Sequence, residues 1–186
     1  MRSPTVLIRA PVLLFLAAVG CAQGQTPAPP AAGVDSTGVR LLFHAGTGGL
    51  SEAARGVVYA ALGLVPAPDG THLVDGVCGQ QADAWLDFPD LNGDGTPEVR
   101  AVFGNTCLSG HAGTNVTLFV EAEGEYRPQL GFPAASAEPL GTDNLGFPDL
   151  LIGGPGFCFP VYRWNGTEYA HLRNEPQEPG GCDGGS

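Results

Sequence analysis

The sequence predicts an α+β fold that is mostly β, in which an antiparallel β-meander of two degenerate repeats follows one N-terminal amphipathic helix. Three observations carry this prediction. Residues 51–62 have apolar side chains at the spacing of one helix face. From residue 82 onwards, short stretches of alternating apolar and polar residues are separated by Gly, Asn and Asp, as in hairpins. The pentapeptide GTPEV at 95–99 recurs as GFPDL at 146–150, which indicates an internal repeat.

Residues 1–20 have the pattern of a secretory signal peptide. Two arginines form a basic start, and the apolar run at 10–20 is too short to span a membrane as a helix. The run leads into LAAVGC, which resembles a bacterial lipobox, although Ala18 stands where Leu is usual. This pattern predicts lipidation of Cys21 and an extracytoplasmic lipoprotein, in the outer membrane or the periplasm. The alternative is simple secretion with cleavage after Ala22.

Residues 21–38 are rich in Pro, Ala and Gly and have almost no bulky apolar side chain, which is typical of a flexible tether. Residues 39–186 suffice for a single globular domain with its own core. The formal net charge is −11, and loss of the signal peptide with its two arginines makes it −13. Such acidity disfavours nucleic acids and anionic membrane surfaces as partners, so we expect membrane association only through the N-terminal lipid.

The segment 39–44 (VRLLFH) predicts a strand, and a Gly-rich turn follows it. Ser51 then provides an N-cap for the helix, Glu52 suits its first turn, and Gly63 is suited to ending it. A strand, a Gly-rich turn and a helix also occur in phosphate-binding loops, but the Lys-Ser/Thr pair of that motif is absent. The predicted buried face of the helix comprises Ala54, Val57, Val58, Ala61 and Leu62.

Half of the chain is predicted to be a β-meander with repeats at about 82–129 and 141–171. In the first repeat, two strands flank an acidic loop and a hairpin follows them. In the second repeat, Asn165-Gly166 predicts a two-residue type I′ turn between two strands. Two such units are too few to close a β-propeller, so we expect the meander to pack against the helix.

The acidic loop at 90–98 (DLNGDGTPE) carries oxygen-bearing side chains at alternate positions. A glycine at its sixth position allows a sharp turn, and a short loop with this spacing can wrap Ca²⁺. The helix-loop-helix version of the motif needs Glu at position 12, where this chain has Ala101, and a strand follows here. The alternative is an Asn-, Asp- and Gly-rich turn without metal. The second repeat has Gly141, Asp143 and Leu145 at the ligand positions, so no ion is expected there.

A D-x-N-x-D-G-x-x-E loop that runs into a strand resembles the calcium loops of FG-GAP and VCBS repeats. That resemblance implies Ca²⁺ as a cofactor. Its ligands would be Asp90, Asn92, Asp94, the carbonyl group of Thr96, and Glu98. The acidic loop together with GGPGFCFPVYRWNGTEY also resembles a family of secreted bacterial proteins over roughly residues 50–182. That family implies no established activity, and this chain has Cys-Leu-Ser-Gly-His where aromatic residues are expected.

Besides the predicted lipidation site, the chain has four cysteines. An even number in an oxidising compartment predicts two disulfides, with three connectivities open. Folding the chain about the centre of the acidic loop places Cys78 nearly opposite Cys107. This favours Cys78–Cys107 and leaves Cys158–Cys182 to pin the Gly-rich C-terminal segment. Nucleophilic catalysis by one of these thiols is the alternative.

Other patterns that carry catalytic or metal chemistry are weak. The histidines His44, His72, His111 and His171 lack metal-binding spacing, and Ser109 lacks the first glycine of a nucleophile elbow. The clustered aspartates around the acidic loop are better explained by one ion than by a glycosidase pair.

An aromatic set lies near the Gly-Gly-Pro-Gly turn of the second repeat. Its members alternate between strand faces, so they form either an outward ligand-facing stripe or a core seam against the helix. The set comprises Phe157, Phe159, Tyr162, Trp164 and Tyr169.

Together these patterns predict an extracytoplasmic, calcium-stabilised binding or interaction module without catalysis, whose partner is an envelope protein or a glycan. One alternative is an inhibitor-like or hydrolase-associated envelope protein, for which small disulfide-linked β-domains are suitable scaffolds. Another is a secreted hydrolase, which needs a cleft with a carboxylate or histidine of perturbed pKa.

Overall fold

The computed structural model describes residues 33–183. The predicted signal peptide at 1–20, the lipidation site Cys21 and most of the predicted tether lie outside the described residues. Within 33–183, no helix has the length and apolar character needed to cross a membrane.

The described part of the chain is mostly β with antiparallel sheets, which confirms the predicted α+β class. The helices are α1 (Ser36–Leu42), α2 (Glu52–Ala61), α3 (Thr106–Ser109) and the 3₁₀ helix η1 (Gly110–Ala112). The strands are β1 (Leu64–Pro66), β2 (Leu73–Asp75), β3 (Asp83–Asp87), β4 (Val99–Gly104), β5 (Asn115–Ala122), β6 (Glu125–Pro133), β7 (Ser136–Asn144), β8 (Phe147–Gly153), β9 (Cys158–Trp164) and β10 (Tyr169–Pro176).

The predicted strand at 39–44 is wrong, because residues 39–42 belong to helix α1 and the next two lie in the turn that ends it. The Asp35 side chain caps the helix by accepting the backbone N–H of Thr37 at 2.8 Å. The buried residues Val39, Leu42 and Phe43 follow the i, i+3, i+4 spacing of one helix face. The described region therefore has two N-terminal helices rather than one, and the expected tether boundary at residue 38 falls inside α1.

Helix α2 begins as predicted, with the Ser51 hydroxyl accepting the backbone N–H of Ala54 at 3.1 Å. Its buried face differs from the prediction, because Val57 is 45% exposed and Ala61 is also exposed. Val58 and Leu62 are buried as predicted, and Tyr59, which the prediction left out, is buried with them. The reason is that α1 packs on this side of the helix, and the Tyr59 ring lies directly over a glycine of α1.

Two four-stranded antiparallel sheets contain most of the strand residues of the described structure. Sheet 1 has the strand order β3-β4-β5-β6, and sheet 2 has the order β7-β8-β9-β10, so each sheet is a meander in chain order. Strands β1 and β2 form a separate two-stranded pair after the helices.

The hydrophobic core has two parts, one on each face of sheet 1. On one face, Val99, Ala101 and Phe119 pack with residues of α1 and α2. On the opposite face, Leu118 and Val120 pack with residues of sheet 2. Strand β5 is therefore buried on both faces, which explains why its apolar run is continuous rather than alternating. The meander packs against the helices through sheet 1, and sheet 2 forms a third layer.

The two sheets repeat the same strand pairing, with one change of offset. In the first hairpins, Asp87 pairs with Arg100 and Glu138 pairs with Leu151, so the counterparts lie 51 residues apart. In the second hairpins, Val120 pairs with Arg127 and residue 163 pairs with residue 170, so the counterparts lie 43 residues apart. The difference of eight residues arises in the β4–β5 connection, which is longer because it contains α3 and η1.

This change of offset corrects one correspondence drawn from the sequence. A constant offset of 51 residues aligns Cys107 with Cys158, but Cys107 lies in α3 whereas Cys158 begins β9. The two cysteines are therefore not equivalent positions of the repeat.

Candidate metal site in the acidic loop

The acidic loop at 90–98 connects β3 to β4 and binds its own backbone through side-chain oxygens. The Asp90 carboxylate accepts the backbone N–H of Asp94 at 3.1 Å. The Asp94 carboxylate accepts the backbone N–H of Thr96 at 2.7 Å and the side-chain amide of Asn92 at 2.7 Å. These hydrogen bonds, first of all the one from Thr96, hold the pKa of the Asp94 carboxyl below its usual range. The loop is thus held in shape by hydrogen bonds that its side-chain oxygens accept from within the loop.

Glu98 ends this loop and is only 1% exposed. Its carboxylate accepts the backbone N–H of Leu91 at 2.7 Å. Burial first of all, and then the negative charges of Asp94 and Asp90, raise the pKa of the Glu98 carboxyl to about 7. None of the ion pairs among residues 33–183 involves Glu98. The first repeat therefore buries a carboxylate beside two others without a cationic side chain to balance it.

The second repeat buries a carboxylate at the same position and does provide a cation. Asp149, 51 residues after Glu98, is 0% exposed. Arg163 donates to its two oxygens at 2.8 and 2.7 Å, and the Thr142 hydroxyl donates at 2.6 Å. The hydrogen bonds from Arg163 are the main reason that the pKa of the Asp149 carboxyl lies below its usual range. At the position of Arg163, sheet 1 has the apolar Val120.

A tyrosine in each repeat holds the backbone next to the buried carboxylate. The Tyr126 hydroxyl donates to the carbonyl of Pro97 at 2.8 Å, and the Tyr169 hydroxyl donates to the carbonyl of Pro148 at 3.0 Å. Each acceptor carbonyl immediately precedes the buried acid in the sequence. The two carboxylates therefore occupy matched sites that differ in their neutralising cation.

One group of three metal-ligand side chains within the described residues has its ligand atoms within 4.8 Å of one another, and it consists of Asp75, Cys78 and Cys107. Its two sulfurs are joined in a disulfide and are not free to bind a metal. The carboxylates of the acidic loop are not gathered to that spacing. Their like charges repel one another, and a closer arrangement requires a positive charge between them.

The described residues contain two disulfides, and the segments that they close do not overlap in the sequence. Cys78 is joined to Cys107 with the Cα atoms 6.7 Å apart, and Cys158 is joined to Cys182 with the Cα atoms 4.8 Å apart. These are the pairs that the sequence analysis favours, and the second one links β9 to the Gly-rich C-terminal segment.

Asp75 is a buried polar residue that the sequence analysis missed. Its carboxylate accepts the backbone N–H groups of Val77 at 3.1 Å, of Cys78, and of Gln80 at 3.0 Å. The side-chain amide of Asn105 adds a further hydrogen bond at 2.8 Å. These bonds, first of all the one from Cys78, lower the pKa of the Asp75 carboxyl to about 2. Its Asp-Gly pair is a turn signal, but the carboxylate here organises the loop that carries the disulfide.

The aromatic set of the second repeat is divided between core and surface. Trp164 and Tyr169 are buried in the core between the two sheets, where they do not face a ligand. Tyr162 and Phe159 are half-buried, and Phe157 is 60% exposed. The buried members thus form a core seam, but it lies between sheet 1 and sheet 2 rather than against a helix.

The weaker catalytic candidates find no supporting arrangement in the described residues. Ser109 is buried, and its hydroxyl accepts the side-chain amide of Asn115 at 2.9 Å. His111 is exposed and borders an open cleft whose other lining residues are Thr106, Gly110 and Gly113. That cleft brings no second titratable side chain to the histidine.

Comparisons of the chain with protein-family models, with curated proteins and with solved structures gave no match. The resemblance to FG-GAP and VCBS loops accordingly stays a prediction from the sequence motif.

Proposed function

We propose that this chain is an extracytoplasmic, calcium-stabilised binding module that acts without catalysis. The observation that carries the proposal is the contrast between two matched buried carboxylates. Asp149 is balanced by Arg163, whereas Glu98 lies beside two further carboxylates and has no cationic side chain in the described residues.

A bound cation would supply to the first repeat what Arg163 supplies to the second. A buried carboxylate is strongly disfavoured unless it is paired with a positive charge or is protonated. Ca²⁺ suits the acidic loop because its ligands are carboxylate, amide and carbonyl oxygens, and because such loops tolerate irregular coordination. The residues that would hold it are Asp90, Asn92, Asp94, Thr96 through its carbonyl group, and Glu98.

The role of the ion on this proposal is structural. Glu98 directly precedes β4, and β4 lies inside sheet 1, which is covered on both faces. A cation that joins the loop to Glu98 would therefore tie the surface turn to the centre of the three-layer structure. This supports a module whose stability depends on calcium, rather than a catalytic metal with an open coordination position.

The proposed location is supported by the N-terminal motif and by the two disulfides, which are typical of oxidising compartments. On this proposal Cys21 carries lipid, and the domain is displayed outside the cytoplasm to bind an envelope protein or a glycan. Metabolic labelling with a palmitate analogue should mark the wild-type protein and not Cys21→Ser. Equal labelling of both proteins would contradict the lipoprotein assignment.

Isothermal titration of the purified, chelator-treated protein with CaCl₂ tests the metal site. We expect one Ca²⁺ per chain, with a dissociation constant between about 10⁻⁵ and 10⁻³ M. Asp94→Ala should abolish the binding heat. Asp143→Ala is the matched control, because Asp143 lies in the second repeat and is exposed, and this variant should bind normally. A wild-type protein that gives no binding heat at millimolar calcium would contradict the proposal.

A further inference from the structure

A polar cleft with an exposed tryptophan lies between the two sheets. It is bordered by β3 and β7, which are the edge strands of sheet 1 and sheet 2. Its volume is about 160 Å³, and its lining includes Trp85, Asp87, Arg100, Ser136 and Glu138. The cleft is separate from the acidic loop, because none of these residues belongs to the predicted calcium ligands.

Trp85 is not explained by the packing of the fold. It is 52% exposed and belongs to neither part of the hydrophobic core. Its counterpart in the second repeat, 51 residues later, is Ser136, so the repeat does not need an aromatic side chain at this position. The other tryptophan, Trp164, is 8% exposed and lies in the core. An indole ring half open to water beside a cleft is suited to contact with a ligand.

The polar groups of the cleft are held in place before any ligand binds. Arg100 donates from Nε to the two oxygens of Asp87 at 3.0 and 3.1 Å, and a second guanidinium nitrogen also donates to Asp87. A third nitrogen donates to the carbonyl of Ala137 in sheet 2 at 2.6 Å. These bonds use three of the five N–H groups of the guanidinium. The other two have no hydrogen-bond partner among the described residues and can donate to a ligand.

Three further side chains of the cleft, Asp87, Glu138 and Ser136, provide hydrogen-bond acceptors at its rim. Asp87 is 47% exposed at its side chain, and Glu138 is exposed on β7 close enough to act on the charge of Arg100. The Ser136 hydroxyl can donate and accept. The cleft thus offers donors and acceptors within reach of one aromatic face.

We infer that this cleft binds one pyranose unit of an uncharged glycan. The indole face of Trp85 can cover the apolar C–H face of a sugar ring, while the carboxylates accept and Arg100 donates hydrogen bonds to its hydroxyl groups. The cleft is smaller than the roughly 300–1,000 Å³ of pockets that enclose a drug-sized ligand, so it accommodates a single ring and leaves the rest of the chain outside.

Charge and surface shape favour a glycan over the other partner classes. Two carboxylates against one guanidinium, on a chain of net charge −11, disfavour an anionic ligand. A protein partner needs about 800 Å² of surface with an apolar anchor at its centre. Trp85 is the only one of the exposed large hydrophobic residues of the described structure that lines this cleft.

This inference rests on the proposed binding module and names its ligand class. The two can fail separately, because the calcium proposal is tested by calcium titration and the glycan proposal by sugar binding in calcium-saturated protein.

Intrinsic tryptophan fluorescence provides a direct test, because the chain has two tryptophans, of which one is exposed and one is buried. The probes are hexamers of β-1,4-linked N-acetylglucosamine, glucose and xylose, which are all uncharged. We expect at least one probe to shift the emission of the wild-type protein to shorter wavelength with saturation. Trp85→Phe should lose this signal while the emission of Trp164 remains.

Affinity electrophoresis in gels that contain the responding glycan measures the effect of each substitution. Trp85→Ala should weaken binding about tenfold or more, and Glu138→Gln, an exposed change that does not threaten folding, should weaken it about threefold or more. Val77→Ala is the control, because Val77 is 83% exposed and does not line the cleft, and it should bind as the wild type does.

Two outcomes would overturn the inference. One is that no probe binds, or that Trp85→Ala binds as tightly as the wild type. The other is that Trp85-dependent retention on an envelope preparation is removed by protease treatment and not by digestion of the glycan. The second outcome would identify the occupant as a protein.

Discussion

Replacing Arg163 by methionine removes the cation that balances the buried carboxylate of the second repeat. Asp149 is 0% exposed and receives two of its hydrogen bonds from Arg163, at 2.8 and 2.7 Å. After the substitution it keeps the hydroxyl of Thr142, and Arg173 lies 3.8 Å away. Methionine retains much of the apolar stem of arginine, so the change tests the charge more than the packing.

The expected cost follows from leaving one buried charge without its main partner. Removing one partner of a buried ion pair costs about 3–5 kcal/mol. We expect the lower end, about 3 kcal/mol, because the Arg163 side chain is 36% exposed and Arg173 compensates in part. For a domain of this size, each kcal/mol shifts the melting temperature by about 2–4 °C, which gives a decrease of about 6–12 °C. Urea denaturation followed by circular dichroism would measure the free energy of unfolding independently.

Arg127→Met provides a matched control for this prediction. Arg127 pairs with Glu123 on the surface at 3.1 Å, and the two side chains are 50% and 83% exposed. Exposed pairs contribute about 0–1 kcal/mol, so this variant should melt within a few degrees of the wild type. If Arg163→Met costs no more than Arg127→Met, the claim that the buried carboxylates need a cation is wrong.

Three further predictions concern the rest of the described structure. Because the folded-state pKa of the Asp75 carboxyl is lowered to about 2, its stabilising contribution is present above about pH 4 and is lost as the pH falls towards 2. The melting temperature of Asp75→Asn should therefore depend less on pH in that window than the melting temperature of the wild type. Equal slopes of melting temperature against pH for the two proteins would contradict this. Gly38→Ala should destabilise the protein by about 1–3 kcal/mol, because a Cβ there overlaps the Tyr59 ring. Gly56→Ala is the control, because its Cβ meets its nearest neighbour at 3.4 Å, and it should be neutral or stabilising. Urea denaturation measures both variants. Replacing both cysteines of the C-terminal disulfide by serine should cost about 3 kcal/mol, measured by the same denaturation, and peptide mapping without reduction should recover this disulfide from the wild type.

The sequence predicted those elements whose signals are local. The helix start at Ser51 depends on one capping hydrogen bond, and the hairpins depend on alternation and turn residues. The predicted two-residue type I′ turn at Asn165-Gly166 is wrong, because Trp164 pairs with Tyr169 and four residues connect them. Asn165 does not have a positive φ there, and its side chain accepts the backbone N–H groups of Thr167 and Glu168 instead. Helix α1 was missed because six residues of mixed apolar character fit both a strand and one helix face. The deciding feature was the cap from Asp35, which lies in the segment assigned to the tether.

The position of the acidic loop could be predicted from the sequence, but the burial of the Glu98 carboxylate could not. The ligand spacing of 90–98 is visible in the sequence, whereas the burial of Glu98 depends on sheet 2 covering sheet 1. The partner of Asp149 was also hidden, because Arg163 follows the offset of 43 residues and not the offset of 51. Only the strand register shows that Val120 and Arg163 occupy matched positions.

The most direct test of the calcium proposal compares thermal unfolding of the wild type and Glu98→Gln at pH 8, in chelator and in 1 mM Ca²⁺. With a dissociation constant of about 10⁻⁵ M, the tight end of the expected range, 1 mM Ca²⁺ is about 100-fold above it and stabilises the wild type by about 2.7 kcal/mol, or about 5–11 °C. Glutamine removes the buried charge and one ligand. The variant should therefore melt above the wild type in chelator and below it in calcium. A wild-type melting curve that calcium and chelator leave unchanged would contradict the account.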